Sequence, residues 1–160
     1  MNKYKIDLPV SEKYNSYNNT ISIDKNSENH LCKEVYKFAK YFKEELNYDS
    51  VPFSPSCMLQ DEYKALLFTE RACDIFKKDP MPYRLYGVCL FTKIKFTDAE
   101  YWVLEWIWLH PFFRNRGNLK KNWKKLEEDF GDFLIREPIS NDMDNFLKNT
   151  NSKYTHTIFP

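Results

Sequence analysis

Residues 110 to 123 read HPFFRNRGNLKKNW, an aromatic run broken by Arg114-Asn115-Arg116-Gly117 and continued by a lysine-rich segment. Arginine side chains and the uncovered amides at a helix start are groups that hold phosphate oxygens, and a glycine at the junction leaves those amides accessible. An anion is therefore expected there. Just upstream, Glu105 stands among apolar and aromatic neighbours in YWVLEWIWLHP, residues 101 to 111. A carboxylate so placed must be paired, hydrated or held with a raised pKa, and a raised pKa suits a general base. The alternative is a pair with Arg84, Lys93 or Lys95 on the neighbouring strand. His110, at the end of the run, could relay a proton or serve as a hydrogen-bonded structural residue.

These groups need elements to position them. Residues 83 to 96 and 101 to 111 are rich in Val, Ile, Leu and aromatics, and the TDAE between them (97 to 100) gives a tight return, so the two predict an antiparallel hairpin at the centre of a sheet. Alternation along the second strand puts Val103, Glu105, Ile107 and Leu109 on one face, with Trp102, Leu104, Trp106, Trp108 and His110 on the other. After the loop 112 to 117, Leu119, Trp123, Leu126 and Phe130 follow helical spacing, and Gly131 suits the helix end. Leu31, Val35, Phe38 and Phe42 mark an earlier helix, with Ser27 as its N-cap. Residues 20 to 24 and 62 to 70 read as strands, 49 to 57 as a loop, 71 to 82 as a turn or short helix and 132 to 137 as a short strand. A last helix spans 140 to 149, capped by Ser140 or Asn141, and a final strand 153 to 159. Gly87 lies inside a strand, where a missing side chain permits close approach of a ligand or a neighbouring element.

The 160 residues, 42% of them hydrophobic and 18% aromatic, are enough for one folded domain over 1–160, with 1–19 an irregular N-terminal extension. A formal net charge of +1 excludes nucleic-acid or membrane binding by global charge, so any basic site must be local. Cys32, Cys57, Cys73 and Cys89 lie 25, 16 and 16 positions apart, without zinc-site spacing, as expected of reduced thiols in a cytoplasmic protein. No stretch approaches the roughly 20 apolar residues of a membrane span.

The order hairpin, Pro111, Arg114-x-x-Gly117, helix, strand, helix resembles the Gcn5-related N-acetyltransferase (GNAT) superfamily, best over residues 83 to 150. That family carries Q/R-x-x-G-x-G/A between a strand and a helix, and its amides take the pyrophosphate of acetyl-CoA. Arg114-Asn115-Arg116-Gly117-Asn118-Leu119 stands in that place here, with Leu119 where a small residue is usual, so its side chain must turn away or the grip is altered.

The resemblance implies an α+β fold, a mixed, mostly antiparallel central sheet flanked by helices. It also implies an acetyl-CoA-dependent N-acyltransferase acting by direct attack of an amine in a ternary complex. The cofactor would be held by Arg114 to Leu119 and by main-chain groups of Ile107, Trp108 and Leu109. Many relatives supply a tyrosine acid from the last helix; here that helix offers Phe146, which leaves Tyr154 a candidate if the chain folds back. The acceptor, whether protein, nucleic acid or small molecule, is not legible. The aromatic surplus leaves room for a homodimer. A different expectation is a non-catalytic protein of the same fold whose basic loop and helix (Lys120, Lys121, Lys124, Lys125) hold nucleic acid or a protein partner.

Overall fold

The computed structural model describes residues 7–56 and 62–150. Cys57, Tyr154 and the strand expected over 153 to 159 lie outside the described residues.

Among the described residues, six strands form one sheet: β1 (Val10–Ser11), β2 (Thr20–Ile23), β3 (Tyr63–Arg71), β4 (Tyr83–Lys95), β5 (Glu100–Leu109) and β6 (Leu134–Ile135). The order is β2-β3-β4-β5-β6, and β1 adds to β4 through Val10 and Ser11 opposite Arg84 and Tyr83. All neighbours run antiparallel except β5 and β6, so the sheet is mixed and mostly antiparallel, as expected. The β1 pairing corrects the reading of 1–19 as irregular throughout. Two residues give too little periodicity to be read, and only the edge of β4 makes them a strand.

Among the described residues, three helices cover the sheet: α1 (Asn29–Leu46), α2 (Asn118–Phe130) and α3 (Asn141–Asn149). Val35, Phe38 and Phe42 of α1 are buried with Leu67, Leu90, Trp106 and Trp108 on one face. Leu126 and Phe130 of α2 and Leu147 of α3 pack with Phe68, Phe91 and Leu104 on the other. Phe91 and Phe130 stack with ring centroids 3.8 Å apart. Ser140 caps α3 by accepting from the Met143 amide at 3.2 Å. Ser27 does not cap α1: its hydroxyl accepts from the Asp24 amide at 2.9 Å, closing a local turn, and Glu28 takes the N-cap position. Such side-chain-to-backbone bonds compete directly with capping. The expected strand over 132 to 137 shrinks to Leu134–Ile135, because β5 offers a parallel partner only at Val103 and Leu104.

The simple alternation expected along β5 is overturned. Leu90 pairs with Trp106 and Phe91 with Leu104, which leaves Glu105 as the extra residue of a β-bulge. Trp102 and Leu104 therefore share a face with Ile107 and Leu109, while Trp106 and Trp108 turn to α1. Gly87 is required by the close approach of β5: a Cβ there would lie 2.8 Å from the Trp108 carbonyl oxygen and 3.1 Å from Phe68. Gly87→Ala is expected to cost about 1–3 kcal/mol, through overpacking against main chain that cannot swing aside, and chemical denaturation measures it.

Of the cysteines described, Cys32 and Cys89 are buried and Cys73 is exposed, all as free thiols. No described helix is long and apolar enough to cross a membrane.

Candidate functional site

The site is built where β5 and β6 part. Their pairing covers Val103 and Leu104, and the Leu104 carbonyl then accepts from the Arg136 amide at 3.0 Å. Past that point β6 ends while β5 runs on to Leu109. The His110 amide donates to the Tyr86 carbonyl at 2.9 Å, so by antiparallel alternation Trp108 and Trp106 also direct their main chain toward β4. Ile107 and Leu109 direct theirs the opposite way, where no strand lies beside them among the described residues. The Leu109 carbonyl is taken by Arg114, whose Nε donates to it at 2.8 Å. Of the three residues expected to offer main-chain contacts, Trp108 faces β4, while Ile107 and the Leu109 N–H face the opening.

At the far end of β5, His110 accepts the Phe112 amide on Nδ1 at 3.1 Å and opens a 3-10 turn over Pro111–Phe113. That bond requires Nδ1 to be unprotonated and places the neutral ring's proton on Nε2. Burial, with Arg114 and Arg84 nearby, holds His110 below the ordinary histidine range. The chain then passes through Asn115 and Gly117, both with positive φ (56° and 77°), into α2. Gly117 is the N-cap residue and has no side chain, so the first amides of α2 are not capped by one. Among the described residues, no atom beyond its chain neighbours lies within 4 Å of where a Gly117 Cβ would be. Leu119 packs into the core beneath α2, leaving the helix mouth clear of its side chain. Asn118 is turned inward as well, donating from Nδ2 to the Phe113 carbonyl at 2.9 Å.

Arg114 is committed within the chain. Its guanidinium donates to both Glu45 oxygens, at 2.5 and 2.7 Å, and lies over the Trp108 ring at 5.6 Å. The Trp108 indole donates to the same carboxylate at 2.8 Å. Sequence reasoning missed Glu45, because a glutamate in the last turn of a helix reads as a solvated residue until the fold brings β5 beside it. Chiefly through the Arg114 hydrogen bonds, its pKa is held below the usual carboxylate range. A carboxyl with a depressed folded pKa stabilises the fold fully above its unfolded value, near 4.5, and loses that contribution as pH falls through the folded value. Glu45→Gln is thus expected to lower stability by about 1 kcal/mol near neutral pH, the pair being a third exposed, and to flatten the acid side of the stability curve. Urea midpoints measured in steps from pH ~7 down to below pH ~4.5 check both.

Glu105, on the bulge, is bound by Arg136 and Thr92 rather than by Arg84, Lys93 or Lys95. The bulge redirects its carboxylate away from the β4 lysines and toward the residue that follows β6. Arg136 Nη2 donates to Oε1 at 2.9 Å, Arg136 Nε donates to Oε2, and the Thr92 hydroxyl donates to Oε1. Glu105 in turn raises the Arg136 pKa, keeping the guanidinium charged. A carboxylate has about four acceptor positions, so among the described residues one on Oε2 stays open. Glu105 forms part of the wall of a cavity of about 690 Å³, together with Thr92, Trp106, Arg136, Tyr48 and Pro52. Phe146 of α3 packs edge-on against Trp123, ring centroids 5.1 Å apart.

No family model matches the chain, and no curated protein matches it in sequence. Its fold does match solved structures. One is a ribosomal-protein-alanine N-acetyltransferase from Brucella melitensis biovar Abortus 2308, at 12% identity and a TM-score of 0.54 over 88% of this chain and 94% of that one. Another is an aminoglycoside acetyltransferase from an uncultured soil metagenomic sample, solved with trehalose. It aligns at 9% identity and a TM-score of 0.55 over 88% of this chain and 91% of that one. The chain therefore has a GNAT-like fold.

Proposed function

We propose that this GNAT-like chain is an acetyl-CoA-dependent N-acyltransferase in which an acceptor amine attacks directly. The observation that carries the reading is the parting of β5 from β6. It opens the Ile107 main chain between an uncapped helix start on one side and a carboxylate-walled cavity on the other.

The α2 mouth fits a pyrophosphate: its amides are uncapped, Gly117 leaves space, and Leu119 is turned into the core. Asn115 to Leu119 hold it through main chain in this reading, while Arg114 shapes the loop from behind through Glu45. Acetyl-CoA supplies an acyl carbon on a thiolate leaving group. The Ile107 N–H serves as a donor to the acyl oxygen as charge gathers there. Glu105 accepts the proton of an incoming ammonium on the open side of Oε2, with Thr92 and Arg136 fixing its orientation. His110 retains Nε2 for a proton relay, and Tyr154 is the remaining candidate acid. Acceptors of a size to enter the cavity are small amines or a single exposed protein amine.

Calorimetric titration of acetyl-CoA and CoA, followed by thiol release with a panel of amines, tests the reading. The expected result is saturable binding of both nucleotides and amine-dependent thiol release. Absence of binding to folded protein would exclude it. The non-catalytic alternative, a basic loop and helix that hold nucleic acid or a protein partner, draws on Phe146, which stands on α3 in place of a tyrosine acid, and it predicts no thiol release for any amine.

A further inference from the structure

The cavity beside Glu105 has an aromatic wall that proton transfer does not use. Asn47, with φ 55°, ends α1 in the left-handed conformation, and the Tyr48 amide donates to the Lys43 carbonyl at 3.1 Å, which fixes how the chain leaves the helix. Phe42, buried on the same helix, packs against two rings of the wall. Its centroid lies 5.0 Å from that of Tyr48 and 5.3 Å from that of Trp106. Trp106 is buried there, whereas Tyr48 stays 37% exposed. Pro52, Ile94 and Pro138 add apolar surface to the same wall. The charged groups of the wall do not select a second ionic group on the acceptor. The Lys93 nitrogen lies 3.5 Å from both Glu62 and Glu100 and over the Trp102 ring at 5.5 Å, and none of those three lines the cavity. Arg136 is paired with Glu105. Among the described residues of the wall, that leaves Lys95 and Glu137, which are opposite in sign.

We infer that the acceptor is an arylalkylamine, its ammonium on the open side of Glu105 Oε2 and its ring on Tyr48, which determines the specificity. The inference rests on the acyltransferase reading above and names the acceptor class within it. A ring set against Tyr48 gains both apolar burial and ring packing, which an aliphatic chain of similar size gains only in part. An aliphatic diamine fits less well, because its second ammonium meets Lys95 and Arg136 in the wall as well as Glu137. In the transfer the amine nitrogen bonds to the acyl carbon as the carbon–sulfur bond breaks, giving the N-acetyl amide and CoA. Of the two protons the ammonium sheds, one passes to Glu105 and on to solvent, and the other ends on the leaving thiol.

The test measures thiol release from acetyl-CoA with phenethylamine, hexylamine, hexanediamine and a lysine peptide, on wild type, Tyr48→Ala and Tyr48→Phe. Melting curves and CoA titrations establish that each variant is folded and binds the cofactor. Wild type is expected to favour phenethylamine over hexylamine about tenfold in kcat/KM. Tyr48→Ala is expected to remove that preference through KM while leaving hexylamine and CoA affinity unchanged, and Tyr48→Phe to keep it. Equal turnover of the two monoamines, or a preference that survives in Tyr48→Ala, would overturn this inference while the acyltransferase reading stands. Faster turnover of the diamine or the peptide would overturn it in favour of a second cation or a protein lysine. Acetyl-CoA binding without thiol release from any of the four amines would overturn this inference alone, and no binding of acetyl-CoA to the folded wild type would remove both readings together.

Discussion

Replacing Gly117 with glutamate is expected to abolish CoA binding, by a factor of about 100 or more, while the protein stays folded. Gly117 has φ 77° and open space where its Cβ would lie, so a side chain there meets solvent rather than core. Left-handed backbone costs an ordinary residue about 1–2 kcal/mol, which lowers the melting temperature without unfolding the chain. A carboxylate set at the mouth of α2 would face the pyrophosphate, and like charges in contact cost several kcal/mol, against 1.4 kcal/mol for each tenfold in affinity. Gly117→Asn is the matched control, because asparagine tolerates the left-handed region and brings no charge. Retention of most affinity by Asn and its loss by Glu, read by calorimetry, places the phosphates at this helix start. Equal affinity in all three proteins would place them elsewhere.

Glu105→Gln should lower acetyl transfer by about 10²–10⁴, the usual weight of a general base, and leave the affinity for CoA within error of wild type. The split is what separates chemistry from structure. Glu105 is held by Arg136 and Thr92, and glutamine keeps an acceptor for one of them, so the fold is disturbed by roughly the value of a part-exposed ion pair. The rate is measured as thiol release from acetyl-CoA, using the amine that turns over fastest in the panel. A variant as fast as wild type would assign Glu105 to fastening β5 to the chain after β6. Equal loss of CoA binding and rate would point to a collapsed opening between β5 and β6 rather than a missing base.

Much of this arrangement follows from local sequence. The spacing of Val35, Phe38 and Phe42, and of Trp123, Leu126 and Phe130, marks two amphipathic helices whichever way they pack, because the 3.6-residue period is a property of the segment itself. The hairpin from Tyr83 to Leu109 is equally local, set by a short return between two long apolar runs. Gly117, at the meeting of strand and helix, already marks the uncapped helix start, since a glycine N-cap brings no side chain with it.

What the tertiary structure decided is the fate of each charged group. Arg114 was legible as a basic residue at an anion site. Only the approach of α1 to β5 shows that its side chain is spent on Glu45 and the Leu109 carbonyl, leaving anion binding to the amides beyond it. The partner of Glu105 could not be read from a two-residue alternation. A bulge adds one residue to a strand, reverses every face beyond it, and carries no signature in YWVLEWIWL. Arg136 lies 31 residues away, just after a strand of two residues that exists only because β5 is there to pair with it. Periodicity is written into neighbouring residues, and so a sequence determines its helices and hairpins. The partner of a charge is set by distances across the fold, which depend on where the strands stop pairing.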